Sequence, residues 1–346
     1  MQRKIESLQK ILKEHHLDAL IIESPIDLFY LTGLEVSKGY LVVKPSGSTL
    51  FVDSRYIEMA RKLSFLPVEL NEKKSFMKGL HGSIGLDSAF MTYEEYRALE
   101  KGFPDLLFVA VPSPLKHMRA VKTPDEMAAL KRAAHLTYEG LLHMKGLLRE
   151  GISEEELAFA FEWFCRNKGA SGLSFEPIVA FGPNSAYPHH RAGKTLLQKG
   201  QIVLMDVGAV VDHYHGDLTR VAFFGEADPK LLYFLQVVKR AQNQALEAVR
   251  PGVSVGRLDE IVRQEFQREG LEELFLHSLG HGIGLETHEY PRIRFDGEDA
   301  GLMLAPGMVF TLEAGLYQAP LGGVRYEETI AVTEDGYENL CGHAEF

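Results

Sequence analysis

An apolar run at residues 202–207, IVLMDV, contains a single carboxylate, Asp206. A charge inside a buried strand is costly unless it is paired or holds a cation. The chain turns near Asp212, returns through Tyr214 to Asp217, and continues into the apolar residues 221–224. Asp206 and Asp217 are therefore expected to face each other across two paired strands. The arrangement recurs further on. Phe310-Thr311-Leu312 ends on Glu313, and Glu327 precedes Thr329-Ile330-Ala331-Val332. Four carboxylates in one dry pocket must bind cations or take up protons. Two divalent cations balance four negative charges, and oxygen-rich coordination favours manganese, cobalt or zinc. The chemistry of such a centre is metal-assisted hydrolysis. The plainer alternative is that Asp206 pairs with an arginine and Asp217 caps a turn.

A nitrogen ligand is available in residues 277–288, HSLGHGIGLETH. His277 and His281 have the spacing of a zinc-binding helix, but the glutamate after the first histidine is absent and the glycines disfavour helix. A dinucleotide fingerprint also fails, because no strand–loop–helix frame fits the glycines. The glycines instead let the backbone pass close to something. His281 is the candidate fifth ligand; the alternative is a set of exposed loop histidines. His189 and His190 follow Tyr187-Pro188, and one of them can face a cleft while either can be surface decoration.

The elements that must position these residues form an internal repeat. Arg149-Glu150-Gly151-Ile152-Ser153 with Leu157 returns as Arg250-Pro251-Gly252-Val253-Ser254 with Leu258, and both segments run on as helices to a glycine, Gly169 and Gly270. GQIVLMDVG at 200–208 returns as GMVFTLEAG at 307–315, and Asp217-Leu218-Thr219 returns as Glu327-Glu328-Thr329. One unit of helix and two strands occurs twice, so a pseudo-twofold would bring the two carboxylate pairs together. Upstream of the repeat, Thr123-Pro124-Asp125-Glu126 is a helix start: a capping threonine, proline at the first helical position and a glutamate that closes a capping box. That helix is expected to reach about Leu148. Pro112, Ser113 and Pro114 separate it from a small α/β domain. That domain begins with an amphipathic helix through Ile5, Leu8, Ile11 and Leu12, followed by a strand at 19–22 and a hairpin flanking Lys44-Pro45-Ser46-Gly47. Further strands fall at 84–87 and 107–111. The expected division is 1–115 and 116–346.

With 346 residues, 45% hydrophobic and 25% charged, the chain can bury two domain cores. A net charge of −11 argues against a nucleic-acid partner. Cys165 and Cys341 stand alone, with no paired spacing for a zinc site. The N-terminal residues lack the apolar core of a signal peptide, and no run is long enough to span a membrane. A cytoplasmic location is the resulting expectation.

The order Asp206, Asp217, His281, Glu313, Glu327 resembles the pita-bread metallopeptidases, which include prolidase, aminopeptidase P and methionine aminopeptidase. The segments that carry the resemblance are MDVGA, YHGDLTR, GHGIGLETHEYP, GMVFTLEAG and VRYEETIAV. LDALIIESPIDLFYLTG and LFVDSRY are similar to the leading domain of the prolidase and aminopeptidase P branch, which methionine aminopeptidases lack. The resemblance implies an α+β chain: a small N-terminal α/β domain of the creatinase type and a C-terminal pita-bread domain with pseudo-twofold symmetry. It implies a homodimer and two divalent metal ions. Asp206 would chelate one, Asp217 and Glu327 would bridge both, and His281 and Glu313 would complete the second. Attack by a metal-bridging hydroxide would cleave the bond between an N-terminal residue and proline, with Glu313 as general base. His277 and His288 would contact the substrate or steady the tetrahedral intermediate. His189 matches the family's substrate-side histidine, and Arg325 matches an arginine near the bridging glutamate. Two positions depart from the pattern: Gly216, where serine or alanine is common, and Ala314, where proline is frequent.

The reading is thus an Xaa-Pro dipeptidase or aminopeptidase acting on peptides with proline second. Two other readings use the same fold: a metal-independent hydrolase of the creatinase type, and a non-catalytic binding module. The complete ligand set argues against both.

Overall fold

The computed structural model describes residues 2–342 and divides into two compact units, up to Met118 and from Arg119 onward. The first unit contains α1 (Gln2–Glu14), β1 (Ala19–Ile22), α2 (Pro25–Thr32), β2 (Gly39–Lys44), β3 (Gly47–Val52), α3 (Ile57–Leu63), β4 (Val68–Leu70), β5 (Ser83–Leu86), α4 (Tyr93–Gly102) and β6 (Leu107–Ala110). A short helix, α5 (Lys116–Ala120), spans the division. Six strands form one sheet in the order β4-β3-β2-β1-β5-β6. The antiparallel β2–β3 hairpin closes at Lys44 and Gly47 around Pro45-Ser46. β1 is buried along its whole length because it lies inside the sheet, between β2 and β5.

The second unit begins with α6 (Pro124–Gly146). Thr123 caps it, and Glu126 reaches back to the Thr123 amide at 2.7 Å, completing the expected capping box. The first copy of the repeat follows: α7 (Glu154–Asn167), β7 (Gly172–Leu173), β8 (Ile178–Phe181), β9 (Gln201–Val207), β10 (Ala209–Val211), β11 (Tyr214–His215) and β12 (Leu218–Phe224). Next come α8 (Pro229–Ala248) and α9 (Val255–Arg268). The strands of the second copy are β13 (Gly280–Gly282), β14 (Glu289–Ile293), β15 (Val309–Gln318), β16 (Gly322–Val332) and β17 (Tyr337–Asn339). The principal sheets run β12-β9-β8 and β14-β13-β15-β16-β17.

The repeat is visible in matched backbone bonds. Gly151 N donates to Leu197 O at 2.9 Å, and Gly252 N donates to Leu304 O at 2.9 Å. Leu197 N returns to Ile152 O, and Leu304 N returns to Val253 O. The copies differ in capping: Ser153 forms a capping box with Glu156, whereas Ser254 makes no side-chain cap.

β9 is apolar throughout because it is buried on both faces. Ile202 and Leu204 join the core built on α8, α9, β15 and β16. Val203, Met205 and Val207 join the core under α6 and α7.

One expectation is corrected by the register. Asp206 lies opposite Thr219, not Asp217. After Val207 the chain leaves this sheet into β10, which pairs with both β7 and β11, and it rejoins only at Leu218. Asp217 therefore sits at the re-entry point, just before the strand. In the second copy β15 and β16 are uninterrupted, and Glu313 does lie directly opposite Glu327.

Candidate metal centre

The two copies meet along β12 and β16. Thr329 Oγ1 donates to Asp217 O at 2.9 Å, and Arg220 Nη1 donates to Glu327 O at 2.6 Å. These cross-links bring the residues expected from the sequence into one place. Ligand atoms of Asp217, His281 and Glu327 all lie within 4.8 Å of one another, and all three residues are buried. Glu313 joins them: its Oε1 is 3.7 Å from His281 Nε2, the same distance that separates Nε2 from Asp217 Oδ2. Asp206 is held beside them by Arg325, whose Nη2 donates to Oδ2 at 2.5 Å. The arginine pairing first considered as an alternative for Asp206 is thus present. It uses only one carboxylate oxygen: Oδ1 is buried with no hydrogen-bond partner among the described residues.

The electrostatics are those of a cation site. Burial and then repulsion from neighbouring carboxylates push Asp217 and Glu327 well above the usual carboxylate range. Burial pushes Glu313 up to about 8, against the pull of the Arg325 guanidinium. Burial drives His281 down to about 3, with the nearby His288 in the same direction. The imidazole is therefore neutral. His281 Nδ1 donates to Gly282 O at 3.1 Å, which leaves the Nε2 lone pair facing the carboxylates. Acidic oxygens, one orphaned oxygen and one neutral imidazole nitrogen fit a divalent cation of borderline hardness.

Local structure explains how each ligand is carried. His281 is on β13, so residues 277–288 are extended and looped rather than helical, as the glycines require. A Cβ at Gly280 would come within 1.9 Å of Thr311 O, and one at Gly282 within 2.3 Å of Tyr290 O. These glycines admit the neighbouring strands at close range. The end of the segment is anchored by Glu289, which accepts from Lys122 Nζ at 2.6 Å and from Arg119 Nη2.

The other histidines separate. The His288 ring lies 4.1 Å from that of His281. Both ring nitrogens of His277 are engaged, Nδ1 with Ser278 O at 2.8 Å and Nε2 with Tyr317 Oη at 2.9 Å. Burial takes His277 down to about 4, so Nδ1 donates and Nε2 accepts. His189 is exposed and within electrostatic reach of His277 and His288. His190 turns away to the buried carboxylate of Glu154 at 2.9 Å.

Sequence reasoning missed two residues. Thr219 Oγ1 donates to Glu327 Oε2 at 2.7 Å and accepts from Arg325 Nε at 3.1 Å. Tyr317 Oη accepts from Arg325 Nη1 at 2.7 Å and links it to His277. Thr219 had a signal, since the repeat aligns it with Thr329. Tyr317 shares a strand face with Glu313, and the intervening Gly315 leaves room for it: a Cβ there would meet Tyr317 Oη at 2.6 Å.

The two departures from the family pattern have local causes. A Cβ at Gly216 would meet Thr137 Oγ1 at 2.3 Å and Ala133 O at 2.7 Å, because α6 passes directly beside it. Ala314 N donates to Gln242 Oε1 at 3.3 Å, and Gln242 Nε2 donates to Leu312 O at 2.6 Å. Proline at 314 has no N–H to give that fully buried amide.

Comparison with known proteins identifies the family. Residues 128–334 match the model of metallopeptidase family M24, and residues 4–121 match the creatinase/prolidase N-terminal domain. The Xaa-Pro dipeptidase of Pyrococcus furiosus is 32% identical over 345 residues, covering 98% of each chain. The solved Xaa-Pro dipeptidase from Bacillus anthracis superposes with a TM-score of 0.94 at 30% identity, covering 100% of this chain and 98% of the other. The X-Pro aminopeptidase from Thermotoga maritima gives a TM-score of 0.86 at 30% identity, covering 96% and 97%. The chain belongs to metallopeptidase family M24. It is a metal-dependent hydrolase with a creatinase-type N-terminal domain and a C-terminal pita-bread domain. No helix among the described residues is long and apolar enough to cross a membrane.

Proposed function

We propose that this protein removes an N-terminal residue from proline, as an Xaa-Pro dipeptidase, using two divalent metal ions. The observation that carries the reading is the buried convergence of Asp217, His281 and Glu327, with Glu313 and the half-unsatisfied Asp206 beside them. Asp206, Asp217, His281, Glu313 and Glu327 would hold the ions. Manganese or cobalt suits this oxygen-rich set best. Bound there, the pair supplies Lewis-acid polarisation of the scissile carbonyl and activation of water.

The chain's own residues supply the rest. Glu313 accepts the proton released on attack. Arg325 fixes Asp206 and Tyr317, and Thr219 fixes Glu327, so the carboxylates are preorganised. His277, with both nitrogens occupied, orients Tyr317. His288 and His189 are the residues proposed to meet the substrate. Residues 1–115 are assigned to the leading domain and residues 116–346 to catalysis. A cytoplasmic homodimer completes the proposal.

Xaa-Pro dipeptides and Xaa-Pro-Xaa tripeptides should be assayed in parallel with metal-loaded protein. Faster turnover of the dipeptides supports the dipeptidase reading. Faster turnover of the tripeptides makes the protein an aminopeptidase, and no turnover of either overturns the Xaa-Pro assignment.

A further inference from the structure

Glu154 opens α7 and is wholly buried, 0% exposed. A buried carboxylate away from the metal ligands needs an explanation. Its partners supply one. Oε1 accepts from Phe181 N at 2.9 Å and from Asn184 Nδ2 at 2.8 Å; Oε2 accepts from His190 Nε2 at 2.9 Å and from Gly193 N at 3.2 Å. All four donors come from one stretch, Phe181 to Gly193. His189 lies within it, next to a residue that Glu154 holds. Asn184 also reaches Thr195 Oγ1 at 3.0 Å, and Glu154 N donates to Thr195 O at 3.1 Å, which closes the far end of the stretch.

The bonding fits an acceptor-only group with both oxygens used twice. His190 spends its Nε2–H on this bond, and that fixes the backbone one residue beyond His189. The segment is largely irregular, with only a short 3-10 turn at Gly182–Ala186. Its first half is also held by other bonds: Phe181 pairs with Val203 on β9, and Ser185 Oγ donates to Gly182 O at 2.6 Å and accepts from Gly323 N at 2.9 Å. From Tyr187 to Gly193 the side-chain hydrogen bonds among the described residues go to the Glu154 carboxylate, which makes it the anchor of the part that carries His189.

We propose that Glu154 is a positioning residue: it holds segment 181–193 so that exposed His189 stays directed toward His277, His288 and the substrate. This rests on the reading of His189 as the substrate-side histidine.

The test is a double-mutant cycle on the metal-loaded, full-length protein with an Xaa-Pro dipeptide. Glu154→Gln replaces one acceptor oxygen with an amide that opposes two of the four donors. It should lower kcat/KM by about 10–100-fold, leave metal affinity by calorimetry unchanged, and speed hydrogen exchange at the Phe181 and Gly193 amides. In the His189→Ala background the same substitution should change kcat/KM by less than about twofold, because the residue it positions is gone. Full additivity of the two effects would overturn the proposal, as would a matching loss of metal affinity. If Glu154→Gln fails to fold, His190→Ala and Asn184→Ala each remove one bond to Glu154 and should show the same non-additivity with His189→Ala; additivity there overturns the proposal equally. An unaltered kcat/KM in His189→Ala alone overturns the substrate-side role of His189 and this inference with it, whereas no turnover of any Xaa-Pro peptide by the unmodified protein sinks the functional reading, and the cycle is then run on the peptide it does cleave.

Discussion

Removing metal from this protein should make its stability fall as pH rises, because the ligands of the site are carboxylates held above their ordinary range. Glu313 moves from 4.5 to about 8, and Asp217 and Glu327 move in the same direction. A group with a raised folded-state pKa binds a proton on folding. Its contribution is complete below the unfolded value and is lost as pH climbs through the folded one. His277, His281 and His288 are shifted down and act with the opposite sign, but mainly below their unfolded value of 6.5. Between about pH 6.5 and pH 8 each of them, and His215 likewise, still returns a few tenths of a kcal/mol, so the carboxylates must act together to outweigh them. Across that window Glu313 alone should cost the metal-free protein about 1–2 kcal/mol, at about 1.4 kcal/mol per pH unit per proton, because it is half-titrated at the upper end. Asp217 and Glu327 add to that loss. Glu23 in the first unit, raised to about 7, contributes with the same sign and is removed by working in a Glu23→Gln background. Urea unfolding, followed by the fluorescence of the single tryptophan, Trp163 on α7, reports on the second unit. Stability in chelator should drop between the two pH values and recover on adding manganese, with the metal-dependent gain larger at pH 8. The triple variant Asp217→Asn/Glu313→Gln/Glu327→Gln should show no such drop. A metal-free stability that is flat or rising over this window would refute the electrostatic reading of the site.

Asp217→Ala should abolish peptide hydrolysis while leaving circular dichroism unchanged; robust turnover by that variant would end the two-metal proposal. Thr219→Val removes the hydroxyl shared by Glu327 and Arg325 and should weaken metal binding about tenfold, read by calorimetry. Arg325→Met strips Asp206 and Tyr317 of their common partner and should lower stability by about 3–5 kcal/mol in chelator, with less loss when metal takes up the freed Asp206 oxygen. Gly216→Ala drives a methyl into Thr137 and the Ala133 carbonyl and should cost about 1–3 kcal/mol; the pair Gly216→Ala/Thr137→Ala should recover part of it.

The amino-acid sequence by itself marked the candidate ligands and determined the plan of the fold. Asp206 and Glu313 stand out because a charge in an apolar strand is expensive, and each occurs at the same place in a repeated unit. The capping boxes at Thr123 and Ser153 mark helix starts because the orphan amides of a first turn need local acceptors. The glycines around His281 exclude helix by local conformational cost. All of these are signals of short range or of repetition. What only the tertiary structure decided is which side chain meets which across long sequence distances. Thr219 rather than Asp217 opposes Asp206, because the strand after Val207 leaves for another sheet, a register that hydrophobic pattern does not encode. Arg325 reaches Asp206 because β16 packs along β12, the partner of β9, and Tyr317 reaches His277 because β15 pairs with β13, just beyond His277. Glu154 carries no local mark of its role: it reads as an ordinary first-turn glutamate, favourable to the helix dipole. Only the folding of residues 181–193 over it turns that surface-type residue into a buried anchor. The candidate ligands were legible because their cost is written into their immediate neighbours; the residues that orient them were not, because their partners are chosen by packing.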